Sequence, residues 1–598
     1  DAITGAGALP LTEIAFMPQA LSTRPNPYMD SGVGALDGGC FYPPTDYTKW
    51  SNLIKAWVMH ESARYPNVES SWLWELWNEP DINYWHGTFA EYAKLYDYTE
   101  AAVHQVLPNA QVGGPAVASA GGSFLTQFLQ HCATGANALG GTGARLDLIS
   151  FHAKGGTAIT GGHVEMNLGN QLGLHQSGMR AVANVAAFKA KPIYITEADP
   201  DGCAACPVSS TPADAYRNSP AYGAYEVAMM KRTIELEARL GVKLGGLLTW
   251  AFTFPGTPYF AGYRALTTNG INLPVMGAFK LLGALDGTRL PVTSSGALTL
   301  DAILASSVRG QPDIDAMATL NGQKVQVLVW NYHDDLVTAA ASSVRLTVKV
   351  PASFGTRLAV SNLRVDDTHG DAYTVWTSQG SPASPSATQI AALKAGMDPV
   401  QLTVDQTVDA TGGSAVVTFD LPRFGISLVT LTPTTIPGDA GADAAGDGGR
   451  DAAPDAASDA PGGDRSPDLG TGAGGAGGGA GSAGTGGSAG TGGSAGTTGG
   501  AGTGGSAGTT GGTGGSTAGT GGSAGTGGGA GTAGPSGAGG AGTGAAGAAG
   551  GSTGGGAKAG GCACAVGETA TSAGAPWLAI ACLALLGRTR RSRRRASA

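Results

Sequence analysis

Two glutamates stand where short apolar runs stop. Trp72-Leu73-Trp74-Glu75-Leu76-Trp77 is largely aromatic and aliphatic, then breaks into Asn78-Glu79-Pro80-Asp81. Pro192-Ile193-Tyr194-Ile195-Thr196 ends in the same way at Glu197, followed by Ala198-Asp199. Runs of this length without turn residues read as buried strands of a parallel sheet. In a barrel of alternating strands and helices, the strand C-termini converge on one mouth where chemistry is built. Two carboxyls delivered there fit glycoside hydrolysis. One protonates the leaving oxygen and the other attacks the anomeric carbon, with the groups about 5 to 5.5 Å apart. Taken alone, Glu79 serves equally well as a cap for the following helix; the matching context of Glu197 favours catalysis.

The roles follow from the surroundings. Apolar neighbours are expected to raise the pKa of Glu79 so that it donates a proton at neutral pH. Hydrogen bonds are expected to keep Glu197 ionised as the nucleophile. Asn78 offers an amide to a sugar 2-hydroxyl, and Pro80 stops the strand. Asp147-Leu148-Ile149-Ser150-Phe151-His152 brings a histidine to the same mouth, either as a structural residue or as a partner for Glu197 or a sugar hydroxyl. Lys154 and His163, in the glycine-rich stretch that follows, are candidates for the entrance. Trp250 ends the run Leu244 to Phe252 and offers a flat ring to a sugar C–H face, with plain core packing as its alternative. This chemistry needs no metal and no organic cofactor.

Trp77-Asn78-Glu79-Pro80 followed by Trp85, then Ser150-Phe151-His152, Ile195-Thr196-Glu197 and Thr249-Trp250-Ala251, resembles glycoside hydrolase family 39. That family belongs to the clan of retaining (β/α)8 glycosidases and contains β-xylosidases and α-L-iduronidases. The resemblance covers roughly residues 9 to 290 and, more loosely, the region that follows. It implies an exo-acting enzyme, foremost a xylan 1,4-β-xylosidase releasing xylose by double displacement. Glu79 would be its acid/base and Glu197 its nucleophile, with Asn78, Trp85, His152, Lys154, His163 and Trp250 around the sugar. It also implies that residues 11 to 18 correspond to the third barrel strand, so that the first two β/α units are missing and raw sheet edges are exposed. Two other readings stay open. One is an iduronidase-like activity, in which Lys154 or Arg217 would meet a uronic acid carboxylate. The other is a non-catalytic surface glycan binder that keeps the barrel as scaffold.

The elements that must position these residues are legible in the apolar spacing. Helices are expected over residues 46–65, 88–107, 124–133, 222–240 and 273–285, each between strand-like runs. This gives a (β/α)8 TIM barrel, N-terminally truncated, over 1–290. From residue 291 the pattern changes to alternation in twos, as in Val325–Tyr332, Val344–Val350 and Ala415–Leu421. These predict an antiparallel β-sandwich to residue 435.

Composition separates the rest. The 100 glycines crowd the C-terminal third of the 598 residues, so that part cannot build a core, and 436–560 reads as a flexible linker. Its span is on the order of 60 Å. Residues 561–598 carry Cys562-Ala563-Cys564, a short apolar run and a cluster of arginines. This resembles a myxobacterial C-terminal sorting tail and implies export, with membrane or cell-surface attachment. The net charge of −9 without a basic stripe argues against nucleic acid and for an oligosaccharide or polysaccharide substrate. Cys203 and Cys206 are expected to form a local disulfide if the protein is exported, and Cys40 and Cys132 to be free or buried thiols.

Overall fold

The computed structural model describes residues 1–28, 38–65, 67, 71–403, 405–434 and 563–565. Six parallel strands follow the apolar runs of the sequence: β1 Leu11–Ile14, β2 Leu73–Leu76, β3 Gln111–Val117, β4 Leu148–Lys154, β5 Pro192–Asp199 and β6 Lys243–Trp250. They neighbour one another in chain order. Each is followed by a helix: α1 Tyr47–Arg64, α2 Phe89–Val106, α3 Ser123–Thr134, α4 Leu168–Ala183, α5 Pro220–Leu240 and α6 Pro274–Gly283. These are six of the eight β/α units of a TIM barrel, and β1 is an edge of the curled sheet among the described residues. Ala563–Ala565 lie antiparallel to Leu248–Trp250. The expected linker and the remainder of the tail lie outside the described residues. Among the described residues, no helix is long and apolar enough to cross a membrane.

Strand alternation decides which side chains enter the barrel. Trp74 faces outward, edge-on to Trp57 of α1 at 5.8 Å. Glu75 faces inward, accepting a hydrogen bond from Thr196 of β5, which is not its neighbour in the sheet. Helix starts are fixed by polar caps. The Asp46 carboxylate accepts from the amides of Thr48 and Lys49, and Thr88 with Glu91 forms a capping box. Each such cap contributes about 1 kcal/mol.

The second layer is antiparallel, as the change of period predicts. With β7 Thr288–Leu290, β8 Asp313–Asn321, β9 Lys324–Tyr332, β10 Ser342–Lys349, β11 Arg357–Val365, β12 Gln406–Thr411, β13 Ser414–Leu421 and β14 Ile426–Pro433, the spatial order is β7-β8-β9-β14-β11-β12-β13-β10. Val327, Val329, Leu358, Val360, Val417, Val429 and Leu431 form its own apolar core. The other side chains of β9 and β14, among them Leu328, Trp330, Ile426 and Leu428, belong to the barrel's core cluster. Helices α7 Ala372–Ser378 and α8 Ala387–Ala395 interrupt the sandwich; the sequence expectation lacks both, although Ser386 and Gln389 form a capping box at the start of α8. They are short, and the Tyr, Val and Trp of α7 are residues that favour strands. Tyr373 and Trp376 of α7 pack on Phe260 at 5.5 and 5.2 Å.

Charge also joins barrel to sandwich. Arg232 of α5 donates to Asp313 at 2.8 Å and lies 2.9 Å from Asp315, and Lys231 pairs with Asp315 as well. All of Arg232, Asp313 and Asp315 are buried. Truncating one partner of a buried pair leaves the other charge without compensation, at roughly 3–5 kcal/mol. Arg232→Met is therefore expected to lower the thermal midpoint by several degrees in scanning calorimetry. An unchanged midpoint would show that this junction is not under electrostatic control.

Candidate active site

The turn after β2 aims Glu79 into the mouth. Trp77 and Glu79 both adopt positive φ, 69° and 45°, a region that costs a non-glycine residue about 1–2 kcal/mol. Backbone bonds hold them there: the Trp77 amide donates to the Ile14 carbonyl at 3.2 Å, and the Glu79 amide donates to the Ala116 carbonyl at 2.9 Å. The Trp77 indole donates to the Tyr84 carbonyl at 2.7 Å. Asp81 accepts from the amides of Ala118 and Ser119, fixing the β3 exit against the same turn. Asn78 is buried, and its amide makes no protein hydrogen bond among the described residues.

His152 and Lys154 lie opposite Glu197 and Asp199 in the register of β4 and β5. His152 Nδ1 sits 2.9 Å from Glu79 Oε1 and 3.7 Å from Glu197 Oε1. One carboxylate oxygen of each glutamate and one imidazole nitrogen all lie within 4.8 Å of one another. Lys154 Nζ is 2.6 Å from Glu197 Oε2, 2.5 Å from Asp199 Oδ2 and 5.1 Å above the Trp250 ring. Behind it, Asp199 is fully buried. It accepts from Thr249 Oγ1 at 2.6 Å and from the Trp250 amide at 3.0 Å, and it faces Arg264 at 3.3 Å. Arg264 continues to Asp201, which Arg217 and Tyr216 also engage.

These contacts set the protonation. Burial lowers the proton affinity of His152, but the charges of Glu197 and Glu79 and the hydrogen bond to Glu79 overcome it and raise its pKa to about 9. Burial raises Glu79, but His152, through its hydrogen bond and charge, and Lys154 outweigh it, so the net shift is downward. The expected raised pKa of Glu79 is thus corrected. Its surroundings are not simply apolar, because an imidazolium occupies them and holds the proton at neutral pH. Among the described residues, Glu79, His152 and Glu197 are also the one group whose ligand atoms are close enough to surround a metal ion. The ammonium of Lys154 already brings positive charge to this space.

The family described as Glycosyl hydrolases family 39 matches residues 1–414. The chain belongs to glycosyl hydrolase family 39. A β-xylosidase of Caldicellulosiruptor saccharolyticus is 25% identical over 453 residues, covering 72% of this chain and 81% of that protein. A β-xylosidase of Geobacillus stearothermophilus is 27% identical, covering 64% and 70%. The α-L-iduronidase of Mus musculus is 26% identical, covering 59% and 57%. In fold, a monomeric β-xylosidase from Caulobacter crescentus superposes with a TM-score of 0.54 at 24% identity, covering 71% of this chain and 80% of that one.

Within this family 39 site, the sequence-predicted residues divide. Glu79, Glu197, His152 and Lys154 converge, and Trp250 joins them through Lys154. Trp85 does not reach them: it packs edge-on to Trp77 at 5.1 Å and Tyr92 at 5.8 Å, and its indole donates to the Thr88 carbonyl. It is a core residue. His163 is also elsewhere, because the hairpin Ala158–Thr160 and His163–Glu165 folds against the sandwich, where its ring lies 3.3 Å from Asp335. Arg217 is no substrate ligand; it is fully buried between Asp201, Asp214 and the carbonyls of Cys203 and Cys206. The Cys203–Cys206 disulfide is formed, and Cys40 and Cys132 are buried thiols. Sequence reasoning missed Asp199, Arg264 and Glu75. Asp199 had a signal, since it lies two residues after Glu197 and so on the same strand face.

Removing the imidazole tests this charge balance. In His152→Gln, burial acts on Glu79 with only Lys154 opposing it, so its carboxyl is expected to titrate above its wild-type value when followed by 13C NMR. An unchanged Glu79 titration would refute the assignment. The linkage has a definite sign. Because the folded-state pKa of His152 lies above the ordinary value of about 6.5, its stabilisation is complete below that pH and is lost as pH rises through about 9.

Proposed function

We propose that the chain hydrolyses glycosides by retaining double displacement, with Glu197 as nucleophile and Glu79 as acid/base. We further propose that its sugar is β-D-xylose at the end of xylo-oligosaccharides. The observation that carries the mechanism is the approach of the two carboxylates, whose nearest oxygens lie within 4.8 Å. Retaining enzymes hold these groups about 5–5.5 Å apart, whereas inverting ones leave about 6.5–9.5 Å for a water. As Glu197 attacks the anomeric carbon, the proton shared between His152 Nδ1 and Glu79 passes through Glu79 to the departing oxygen. Water then attacks the glycosyl-enzyme ester; Glu79 takes its proton and Glu197 leaves as carboxylate. Asn78, with its side-chain amide free of partners among the described residues, suits the 2-hydroxyl of the sugar.

The two β-xylosidase relatives support xylose. A second reading has its own support. Lys154 places an ammonium in the mouth, with 17% of its side chain exposed. A uronic acid carboxylate would find a cation there, and α-L-iduronidases are among the relatives.

Both are tested with aryl β-D-xyloside and aryl α-L-iduronide on the full chain. Glu197→Ala is expected to lose at least about 10³-fold in kcat. Glu79→Ala is expected to lose about 10²–10⁴-fold, with azide restoring turnover as the glycosyl azide of retained configuration. An inverted product would exclude double displacement. Hydrolysis of the iduronide in preference to the xyloside, with Lys154→Met lowering the iduronide-to-xyloside ratio of kcat/KM, would replace xylose by a uronic acid.

A further inference from the structure

One pleat below the reacting carboxyls lies a third that belongs to neither step. Glu75, four residues before Glu79 on β2, is 1% exposed. Its Oε1 accepts from Thr196 Oγ1 at 3.0 Å, and Thr196 is the residue before Glu197 on β5. Ser150, two residues before His152 on β4, also favours the charged form of the Glu75 carboxyl. Ser150 Oγ in turn accepts from the Ala116 amide at 3.2 Å, and the Ala116 carbonyl accepts from the Glu79 amide at 2.9 Å. The Glu75 carboxyl therefore bridges β2 and β5, whose ends lead to Glu79 and Glu197, while Ser150 ties β4 to β3 beside it.

We propose that Glu75 is a positioning residue for the proposed glycosidase, setting the separation of Glu79 and Glu197, and with them the place of His152, through its bond to Thr196. A charged residue amid a run of buried tryptophans and leucines is otherwise costly, since an unpaired buried polar group loses its hydration without return. The bond that Glu75 accepts comes from a strand that must be held in register with its own. Local backbone bonding does not supply this cross-link, because parallel strands bond only to their neighbours, and β2 and β5 are separated by two others.

Burial raises the pKa of the Glu75 carboxyl, opposed by the charge of His152 and by Ser150 and Thr196, while the charge of Glu197 adds to the rise. Glu13, its register partner on β1, faces it from the sheet edge. The protein atoms crowded around it and the charges of Glu75 and Glu197 push the Glu13 carboxyl upward as well. Its side chain is exposed along that edge, and solvent screening weakens the effect. Tyr92 of α2, whose hydroxyl donates to the Leu76 carbonyl at 3.1 Å, completes the surroundings. Glutamine is therefore the conservative replacement, keeping an acceptor without a charge.

The test compares Glu75→Leu, Glu75→Gln and Thr196→Val in the full chain. Rates are normalised to active sites titrated with a slow 2-fluoro-glycosyl substrate. Misplacement of a reacting group by about 1 Å costs on the order of 10²-fold. Glu75→Leu is expected to lower kcat per titrated site by about 30- to 100-fold with KM within about threefold, and Thr196→Val to do so less severely. Glu75→Gln is expected to restore most of kcat. The 15N-imidazole titration of His152 should move in the leucine variant and stay in place in the glutamine variant. A merely structural Glu75 would lower the yield of titratable sites and leave both readouts unchanged, which would overturn the proposal. If the leucine variant does not fold, Thr196→Val with wild-type kcat and an unmoved His152 titration overturns it equally. Wild-type inactivity on every aryl glycoside would instead sink the glycosidase reading, and the His152 titration alone would then decide the role of Glu75.

Discussion

Two carboxylates within 4.8 Å of each other repel by on the order of 3 kcal/mol at an effective dielectric constant near 20. The mouth of the barrel is built around that repulsion. β4 contributes both compensating cations at alternate positions, so His152 and Lys154 share one face of one strand. β5 presents its anions at the same spacing, and the register sets His152 against Glu197 and Lys154 against Asp199. Slipping either strand by one residue would turn its pair of charges out of the barrel and leave the other strand's pair unmatched. Charge balance and strand register are thus a single constraint, and the bonds that fix register serve the chemistry directly.

The compensation does not stop at the reacting groups. Asp199 is itself neutralised from behind by Arg264, which shares Asp201 with Arg217. The loop after β5 folds around this buried chain of charges. The carbonyls of Cys203 and Cys206 both accept from Arg217, and the disulfide closes the loop between them. Burying such pairs adds little net stability, because desolvation offsets the attraction. What it adds is geometry: every charge has a fixed partner, so Asp199 cannot drift and Lys154 has a fixed anchor beside Glu197.

Much of this was legible in the sequence and some of it was not. The strand ends at Glu79 and Glu197 were visible because apolar runs halt abruptly, and the helices because their apolar spacing is regular. The protonation of Glu79 was hidden, since its decisive partner lies 73 residues away on another strand. Trp85 and His163 looked like site residues by proximity in sequence. Trp85 turns into the core and His163 onto the sandwich, and only tertiary packing decides that. Glu75 carried a signal in plain view, as a charge in the middle of a buried strand, yet its meaning depends on Thr196 and Ser150 from across the barrel. The helix α7 was hidden by strand-favouring composition, with packing on Phe260 holding it in place, whereas α8 did carry a signal in its Ser386–Gln389 capping box.

The same network explains why Lys154 is the site's adaptable element. It faces two anions, Glu197 and Asp199, but Asp199 does not depend on it. Arg264, Thr249 and the Trp250 amide remain on Asp199 if Lys154 turns away. Releasing Lys154 from Asp199 therefore leaves no buried charge uncompensated, whereas releasing Arg264 would remove the guanidinium that backs Asp199 and one of the two that meet Asp201. His152 has no such freedom, because both reacting carboxylates rely on it. Of the cations at the mouth, Lys154 is the one that can be redirected toward a substrate without dismantling the charge balance that keeps Glu79 and Glu197 side by side.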